Sequence, residues 1–256
     1  MKVVILAGGR GTRLSEETHA IPKPMVGIGG RPIIWHIMSH YASYGYDDFV
    51  VACGYKGDVL KDYFATYRTR ESDLHVDLTQ GTVESLTQPH ESWRVTLVDT
   101  GQHTMTGGRI KRLAHLLGER FLLTYGDGVS DVPIDALIGH HEAKHALATV
   151  TAVHPIPRWG ALAVREGNVV GFEEKPEDPD TWINGGYFVI EPEVLDLIEG
   201  DHDGFEQQPL RLLADQGQLA AYQHTGFWRA MDTARDRDEL NEIWSANAAA
   251  PWLGRR

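Results

Sequence analysis

The sequence predicts an α/β protein with a single Rossmann-like domain, in which helices cover both faces of a mostly parallel mixed sheet. Three observations favour this class. Short apolar runs alternate with amphipathic segments through the first half of the chain, which is the pattern of β-α-β units. A glycine-rich loop follows directly after the first apolar run, Val3-Val4-Ile5. A later apolar run ends in Tyr125-Gly126-Asp127-Gly128, and open α/β sheets bind their ligands at the carboxyl ends of such strands.

The elements of the first half are bounded by helix start and stop signals. Pro32 suits the first turn of a helix and Gly45 ends one, so the residues between them are predicted to be helical. The predicted strands are Lys2–Ala7, Asp48–Cys53, Arg94–Asp99, Phe121–Tyr125 and Leu147–Val153. The predicted helices are Pro32–Tyr44, Val59–Tyr67, Arg109–Leu117 and Pro133–Lys144.

The second half has more closely spaced strands. Neither half contains a linker, a repeat or a low-complexity tract, so residues 1–256 are predicted to form one domain. The polar, poorly periodic stretch 74–93 indicates a hairpin insertion. The predicted strands of the second half are Ala161–Arg165, Val169–Glu173, Gly186–Ile190 and Leu219–His224. Its predicted helices are Pro192–Ile198, Gln208–Gln216 and Ala234–Ala248.

Composition restricts the class of partner. Hydrophobic residues make up 42% and charged residues 23% of the chain, which is ordinary for a soluble globular protein. The net charge of −12 is unfavourable for binding nucleic acid, which is itself a polyanion. No apolar run is long enough to span a membrane, and the chain opens on a strand, so neither membrane insertion nor a signal peptide is expected. Cys53 is the single cysteine. No internal disulfide can form, and the expected location is the cytoplasm.

The glycine-rich loop is predicted to bind a polyphosphate. Glycines expose backbone N–H groups to an anion, and Arg10, Arg13 and Lys23 can neutralise phosphate charge. The spacing does not fit a dinucleotide fingerprint, because Leu14 stands where the third glycine belongs, and the chain contains no Gly-Lys-Ser/Thr of a Walker loop. The alternative is a glycine turn with two surface arginines. The loop comprises Leu6, Ala7, Gly8, Gly9, Arg10, Gly11, Thr12 and Arg13.

Two carboxylates are candidates for a metal site. Asp127 lies between glycines at a strand end, and a carboxylate beside a phosphate is repelled unless a divalent cation lies between them. Asp232 follows the aromatic segment Gly226-Phe227-Trp228 and offers a second ligand. The alternatives are an aspartate in a tight turn at position 127, and at position 232 an N-cap for the helix predicted from Ala234.

Two further segments suit a sugar phosphate. Glu173-Glu174-Lys175-Pro176 offers acceptors for hydroxyls and an ammonium for phosphate, although a charged strand exit is an equally ordinary reading. Asn184-Gly185-Gly186 offers an amide beside two glycines, although Asn-Gly is also a hairpin turn signal. Several histidines and tryptophans are interpreted as core or surface residues rather than metal ligands or stacking platforms. These are His36, His40, His140, His141, Trp35, Trp244 and Trp252.

These motifs, in this order, resemble the sugar-nucleotide pyrophosphorylase family, whose members are nucleotidyltransferases acting on sugar 1-phosphates. The resemblance covers nearly the whole chain, although residues 74–92 match only loosely. Thymidylyl- and uridylyl-type members carry a Leu-Ala-Gln-type loop after the third strand, which this chain lacks. The segments that resemble the members transferring cytidylyl groups to glucose are Ser15–Thr18, Ile33–Met38, Cys53–Gly57 and Asp99–Arg109.

The resemblance implies CTP as donor, glucose 1-phosphate as acceptor, Mg²⁺ as cofactor and a homo-oligomer, either a trimer or a hexamer. It implies that residues 1–130 bind mainly the nucleotide and residues 131–256 mainly the sugar phosphate. The implied catalytic residues are Arg13, Lys23, Asp127 and Asp232, with the two aspartates as metal ligands. The implied nucleotide-binding residues are the loop Leu6–Arg13, Lys23, Thr104, Arg109 and Gly126. The implied sugar-phosphate-binding residues are Gly160, Glu174, Lys175, Asn184 and Gly185.

Two alternative functions are open. A thymidylyl- or uridylyltransferase on the same fold would use the same loop and metal ligands. A non-catalytic nucleotide-sensing protein is the alternative from a different class. Intact Arg13, Lys23, Asp127 and Asp232 argue against it, because a sensor has no need for both metal ligands.

Overall fold

A seven-stranded sheet forms the centre of the described part of the chain in the computed structural model, which covers residues 1–11, 14, 18–155, 161–173, 180–246 and 250–253, with the backbone alone for 161–163. Smaller two-stranded sheets surround it. The strands are β1 (Val3–Ala7), β2 (Gly27–Ile28), β3 (Arg31–Pro32), β4 (Asp48–Cys53), β5 (Leu74–Asp77), β6 (Thr82–Ser85), β7 (Arg94–Asp99), β8 (Phe121–Tyr125), β9 (Gly128–Ser130), β10 (Ala148–Val153), β11 (Ala161–Arg165), β12 (Asn168–Glu173), β13 (Ile183–Ile190), β14 (Leu219–Gln223) and β15 (Trp228–Ala230).

The central sheet is mostly parallel. Its strand order is β14-β10-β13-β8-β1-β4-β7. β1 runs parallel to both of its neighbours, β4 and β8, whereas β13 is antiparallel to β8 and β10. Because β1 and β8 are parallel neighbours, the loops that follow Ala7 and Tyr125 leave the same edge of the sheet.

Helices cover both faces of this sheet. Alternate residues of β1 face opposite cores: Val3 and Ile5 pack in one hydrophobic cluster, and Val4 and Leu6 pack in the other. Such burial on both faces explains the uninterrupted apolar run of β1. The α-helices of the described residues are α1 (Ile33–Ala42), α2 (Gly57–Ala65), α3 (Tyr67–Arg70), α4 (Thr106–Arg112), α5 (Ile134–Lys144), α6 (Gln208–Asp215) and α7 (Ala234–Ala246).

The predicted α/β class, with a mostly parallel mixed sheet and helices on both faces, is confirmed. The insertion predicted at 74–93 contains an antiparallel hairpin of β5 and β6. The helix predicted over 59–67 ends at Ala65, and the short α3 follows. The segment predicted as helix over 192–198 is a 3-10 helix over Pro192–Leu197.

The helix predicted to begin at Arg109 begins three residues earlier, at Thr106. The glycines at its start look like helix breakers, but they let α4 approach the segment 201–205. Gly107 N–H donates to the Asp203 carbonyl at 2.9 Å, and a Cβ on Gly107 would meet that oxygen at 2.7 Å. Tertiary packing therefore overrides the low helix propensity of glycine here.

Three of the histidines interpreted from the sequence as core or surface residues lie in the core: His36, His40 and His141. Trp252 Nε1 donates to His36 Nδ1 at 3.1 Å, which leaves His36 Nε2 to donate to the Ile28 carbonyl at 2.9 Å. His40 Nε2 and the Val132 carbonyl are 2.8 Å apart, and His141 Nδ1 lies 2.8 Å from a threonine hydroxyl. Each of these rings joins its own helix to a strand or a loop beside it.

Among the residues that the structure describes, none of the helices combines the length and the apolar character needed to cross a membrane.

Candidate active site

A cavity of about 530 Å³ opens at the carboxyl ends of β1 and β8. Most of the nucleotide-binding residues implied by the resemblance line it, together with five residues that were not predicted: Pro24, Met105, Thr106, Tyr125 and Glu206. The full lining is Leu6, Ala7, Gly8, Gly9, Gly11, Lys23, Pro24, Thr104, Met105, Thr106, Arg109, Tyr125, Gly126, Asp127, Glu206 and Asp232.

Several predicted site residues fall elsewhere. Arg10 is exposed and is absent from the cavity lining. The predictions for Thr12, Arg13, Gly160, Glu174 and Lys175 lie outside the described residues.

The glycine-rich loop turns sharply at Gly11, whose φ of +60° favours glycine. Leu14 N–H donates to the Gly11 carbonyl at 3.0 Å, and Thr18 Oγ1 donates to the same carbonyl at 3.1 Å. A Cβ at Gly11 would also meet Thr18 Cγ2 at 2.9 Å. The turn is thus held from outside the cavity, which leaves Gly8 and Gly9 along its wall.

Arg109 holds the start of the glycine-rich loop in place through hydrogen bonds from its guanidinium. Its Nη1 donates to Thr100 Oγ1 and to the Gly101 carbonyl, both at 2.7 Å, and to the Cys53 carbonyl at 3.2 Å. Its Nη2 donates to the Gly8 carbonyl at 3.1 Å. The guanidinium therefore ties the loops after β1, β4 and β7 together, and its burial lowers the pKa of Arg109 from the usual value.

Two glycines make room for this guanidinium. A Cβ on Gly8 or on Gly54 would overlap the Arg109 side chain. Gly54 follows β4 and does not line the cavity, and its only signal in the sequence was its place in the segment Cys53–Gly57 that resembles the family.

Asp127 and Asp232 are brought together by a pair of short strands that the sequence did not predict. β9 and β15 pair antiparallel with Gly128 opposite Ala230. Asp127 directly precedes the first strand and Asp232 follows the second by two residues. Met231 N–H donates to the Asp127 carbonyl at 2.8 Å, which closes the pair at the cavity.

The Lys23 ammonium lies between these two carboxylates. Lys23 Nζ is 2.7 Å from Asp127 Oδ2 and 2.7 Å from Asp232 Oδ1. Lys23 comes from a 3-10 turn, Lys23–Met25, whose residues Lys23 and Pro24 are buried. Burial lowers the pKa of Lys23, but the attraction of Asp127 and Asp232 outweighs it, and the net pKa is raised.

Thr233, rather than Asp232, is the N-cap residue of helix α7. Asp236 N–H donates to Thr233 Oγ1 at 3.2 Å, and Asp236 Oδ2 accepts from Thr233 N–H at 2.8 Å. This reciprocal pair is a capping box for α7, with Asp in the usual place of Glu. Thr233 therefore caps the helix, and the Asp232 carboxylate faces Lys23 instead.

A smaller cavity of about 210 Å³ adjoins the first and shares Tyr125, Asp127 and Asp232 with it. Asn184 and Gly185 line it. Asn184 Oδ1 accepts from Gly186 N–H at 2.8 Å, so the amide is held by the backbone two residues further along β13, and the Asn-Gly sequence forms part of a strand rather than a hairpin turn. Its Nδ2 donates to Tyr125 Oη at 3.0 Å, across the boundary between the two cavities.

The carboxylate pair fits a divalent cation of the hard type. Mg²⁺ is typically held by one or two carboxylates together with substrate phosphates and water. Asp127 and Asp232 supply that number, and a cationic group already lies between them. In the described part of the chain no cluster of three or more His, Cys, Asp or Glu side chains could hold a metal. On the usual pattern for Mg²⁺, substrate phosphates and water would supply the remaining ligands.

An open α/β sheet with a glycine loop, a buried lysine and two carboxylates at its carboxyl edge defines a nucleotide-handling enzyme of the phosphoryl-transfer type. The sequence profile described as "Nucleotidyl transferase" matches residues 2–242, and the chain belongs to this family. The family generally uses a divalent metal ion. The resemblance predicted from the motifs is confirmed.

Individual relatives narrow the comparison. The chain is 52% identical to the glucose-1-phosphate cytidylyltransferase of Salmonella typhimurium, over 98% of each chain. It is 45% identical to a probable glucose-1-phosphate cytidylyltransferase of Bacillus subtilis, over 96% of each. Among solved structures, HddC from Yersinia pseudotuberculosis superposes with a TM-score of 0.69 at 22% identity, covering 95% of this chain and 99% of that one. At that identity the likeness supports the fold alone.

Proposed function

We propose that the protein transfers the cytidylyl group of CTP to α-D-glucose 1-phosphate, giving CDP-glucose and pyrophosphate. The observation that carries this proposal is the 52% identity, along 98% of both chains, to a relative named glucose-1-phosphate cytidylyltransferase. The composition of the cavity supports it, because glycine backbone, a buried lysine and two carboxylates suit a metal-bound triphosphate.

In the proposed reaction an oxygen of the sugar phosphate attacks the α-phosphorus of CTP. The bond from that phosphorus to the bridging oxygen breaks, and the bonding electron pair leaves with pyrophosphate. A phosphate monoester is already ionised at neutral pH, so the reaction needs no general base. The protein would act by aligning two polyanions and by stabilising charge on the departing group.

The residues of the large cavity and of the glycine-rich loop are proposed to divide this work. Lys23 would bind the α-phosphate, and Arg13 the β- and γ-phosphates, with Thr12 and the backbone of the glycine-rich loop beside them. Arg10, which lies outside the cavity lining, would contribute only its positive charge near the loop. Mg²⁺ held by Asp127 and Asp232 would supply positive charge at the α-phosphate and the leaving oxygen. The proposed metal ligands are supported by the two 2.7 Å contacts that already join both carboxylates to one ammonium.

Base selection is proposed to depend on the backbone at Leu6–Gly9 and on Thr104. Cytosine offers an amine donor and a ring acceptor where uracil offers the opposite pattern. Arg109 would contribute chiefly by holding the Gly8 carbonyl, because its guanidinium already donates to several protein acceptors. Gly126 would lie against the ribose and phosphates. Its N–H donates to the Leu6 carbonyl at 3.0 Å, and a Cβ there would meet that oxygen and the Pro24 ring, each at 3.0 Å, which favours glycine at this point of the wall.

The sugar phosphate is proposed to occupy the smaller cavity. Asn184 and Gly185 line it, and Gly160, Glu174 and Lys175 are proposed to complete it, with the lysine on the phosphate and the glutamate on sugar hydroxyls. On this proposal residues 1–130 serve mainly the nucleotide and 131–256 mainly the sugar. A homo-oligomeric state, trimer or hexamer, and a cytoplasmic location stay predictions.

One assay tests the proposal. Pyrophosphate release is measured with CTP, UTP, dTTP, GTP and ATP in turn, each against glucose, mannose and galactose 1-phosphates, with and without Mg²⁺. The expected result is Mg²⁺-dependent release with CTP and glucose 1-phosphate. Turnover with UTP or dTTP in place of CTP would favour the thymidylyl- or uridylyltransferase instead. Nucleotide binding without release in any combination would favour the sensing protein.

A further inference from the structure

Glu206 places a carboxylate in the wall of the nucleotide cavity, and no part of the proposed reaction has yet used it. Tyr125 Oη donates to Glu206 Oε1 at 2.6 Å. Thr106 Oγ1 donates to Glu206 Oε2 at 2.6 Å. Each carboxylate oxygen is therefore aimed by one hydroxyl of the wall, which fixes the direction of the remaining acceptor positions.

The backbone that carries Glu206 is anchored. The preceding residue, Phe205, is fully buried and packs edge-on against Phe188 with ring centroids 5.7 Å apart. Phe205 N–H donates to Thr106 Oγ1 at 2.8 Å, the same hydroxyl that holds the carboxylate. Glu206 is thus positioned by the packing of α4 against the loop before α6, although its own side chain reaches solvent.

The hydrogen bonds of this wall run in one direction. Asn184 Nδ2 donates to Tyr125 Oη, and Tyr125 Oη donates to Glu206. Because Tyr125 Oη already accepts from Asn184 Nδ2 and lies 2.6 Å from Glu206 Oε1, its hydroxyl proton points to the carboxylate. The Glu206 carboxylate is an acceptor at the end of this chain of bonds and presents acceptor positions to the cavity.

The position of Glu206 selects the group it could bind. A carboxylate accepts about four hydrogen bonds, and the wall supplies two of them. A phosphate would be repelled by this charge, so the ligand group must be a neutral donor. Glu206 is bonded to Thr106, which lies two residues from Thr104 and the proposed base site, and to Tyr125, which lies two residues from Asp127 and the proposed phosphate site. The neutral donors between base and phosphates of a nucleotide are the ribose hydroxyls.

We propose that Glu206 accepts hydrogen bonds from the ribose hydroxyls of the nucleotide, and that Tyr125 and Thr106 position it to select a ribonucleotide over a 2′-deoxyribonucleotide. This inference rests on the proposed function. It adds a specificity-determining residue and assigns Tyr125 and Thr106 as positioning residues.

The test compares CTP with 2′-deoxy-CTP at a fixed concentration of glucose 1-phosphate. The wild type is expected to prefer CTP by at least about tenfold in kcat/KM, because a site built to bind a hydroxyl rejects an analogue that lacks it. Glu206→Gln and Glu206→Ala are expected to bring that preference to within about threefold, chiefly by raising KM for CTP. Glu193→Gln, an exposed carboxylate outside the cavity, is the matched control and should keep the wild-type ratio.

A second variant and a second readout guard against misfolding. Tyr125→Phe keeps the ring and removes the hydroxyl that aims Glu206, so it should lower the CTP preference partly, and isothermal titration with CTP and 2′-deoxy-CTP should follow the same order. An unchanged ratio in folded Glu206→Ala would overturn the inference. A changed preference between glucose and 2-deoxyglucose 1-phosphates, with the nucleotide ratio intact, would also overturn it. Failure of the proposed function would appear separately, as absence of CTP turnover in the wild type.

Discussion

At the scale of single residues, Lys23 contacts both proposed metal ligands and is also proposed to bind the α-phosphate. Its ammonium is bonded to both carboxylates that are proposed to hold the metal. In the free protein it offsets the repulsion between Asp127 and Asp232, which lie at one edge of the cavity. A metal ion and a phosphate arriving together would give Lys23 a new anionic partner as it leaves the carboxylates. The residue is therefore expected to couple metal binding to nucleotide binding.

Lys23→Met should separate these two effects. Loss of a preorganised cation should lower turnover by the equivalent of about 2–4 kcal/mol in transition-state stabilisation. The free protein, by contrast, should bind Mn²⁺ more tightly than the wild type, because no ammonium competes for the carboxylates. Electron paramagnetic resonance of Mn²⁺ measures that affinity without any turnover. Lys61→Met, on an exposed lysine of α2, is the control; equal Mn²⁺ affinity in wild type and Lys23→Met would contradict the coupling.

Asp127→Asn and Asp232→Asn test whether one ion is shared. Each change preserves shape and removes a charge, so each should suppress Mg²⁺-dependent turnover while the protein stays folded. The double variant should lose much less than the sum of the two single losses, because both carboxylates act through the same cation. Turnover of the two single variants and the double variant closes the cycle. Fully additive losses would mean that the two side chains act independently.

At the scale of elements, the sequence predicted the central strands well and the assembly of the site poorly. Strands such as Asp48–Cys53 and Phe121–Tyr125 are long apolar runs with local signals, and both have the predicted bounds. β9 and β15 have three residues each, too few to show a period, and they pair only through tertiary structure. That pair is what joins Asp127 to Asp232. Glu206 had no local signal either, because an exposed loop glutamate is ordinary in any sequence.

Arg109, on helix α4, shows the same limit of sequence-based prediction. The side chain was implied to contact the nucleotide, and its observed bonds run to three loops of the protein. Gly54→Ala tests whether Arg109 holds these loops together, and it does so at a position that does not line the cavity. The added Cβ would overlap the guanidinium, so CTP affinity should fall by roughly tenfold or more through displacement of the Gly8 loop. Gly139→Ala, whose Cβ would enter open space, should leave affinity unchanged, and an equal effect of both changes would contradict the tie.

His36, on α1, is bonded to Trp252 of the C-terminal segment, and its burial predicts that stability depends on pH. Burial lowers the pKa of His36 from 6.5 to about 4. The unfolded chain therefore takes up a proton between these values while the folded ring stays neutral. Stability contributed by the neutral ring is complete above about pH 6.5 and is lost as the pH falls towards 4, by on the order of 3 kcal/mol in total. His36→Gln should remove this component of the pH dependence.

Urea unfolding at pH 7.5 and pH 5 measures the His36 contribution. The wild type should lose more free energy of unfolding between these pH values than His36→Gln does. His75→Gln, on an exposed ring of β5, should keep the wild-type difference. Identical pH dependence in wild type and His36→Gln would show that other groups account for the acid sensitivity.

At the scale of the whole molecule, the site is an assembly of distant segments on a protein that carries a net charge of −12. Segments that are distant in the sequence line one cavity: the loop after β1, the turn at Lys23, the start of α4, the end of β8 and Asp232, which precedes the N-cap of α7. The overall charge repels a nucleoside triphosphate, so the proposed binding of CTP would depend on local groups: backbone N–H donors, Lys23 and a metal held by the two carboxylates. Base selection is then a property of the assembled cavity rather than of any one motif.

Selection of cytosine is the prediction that tests this assembly as a whole. Cytosine and uracil differ in the exocyclic group and in the ring nitrogen, so a cavity that pairs with one leaves buried groups mispaired with the other. The preference for CTP over UTP in kcat/KM should therefore exceed roughly a hundredfold. Thr104→Val should weaken it directly, because Thr104 is a buried polar residue of the cavity wall. Arg109→Ala should weaken it through the Gly8 loop, with a fall in thermal stability that Thr104→Val does not share. Equal use of CTP and UTP by the wild type would instead mean that this cavity reads the ribose and phosphates but not the base.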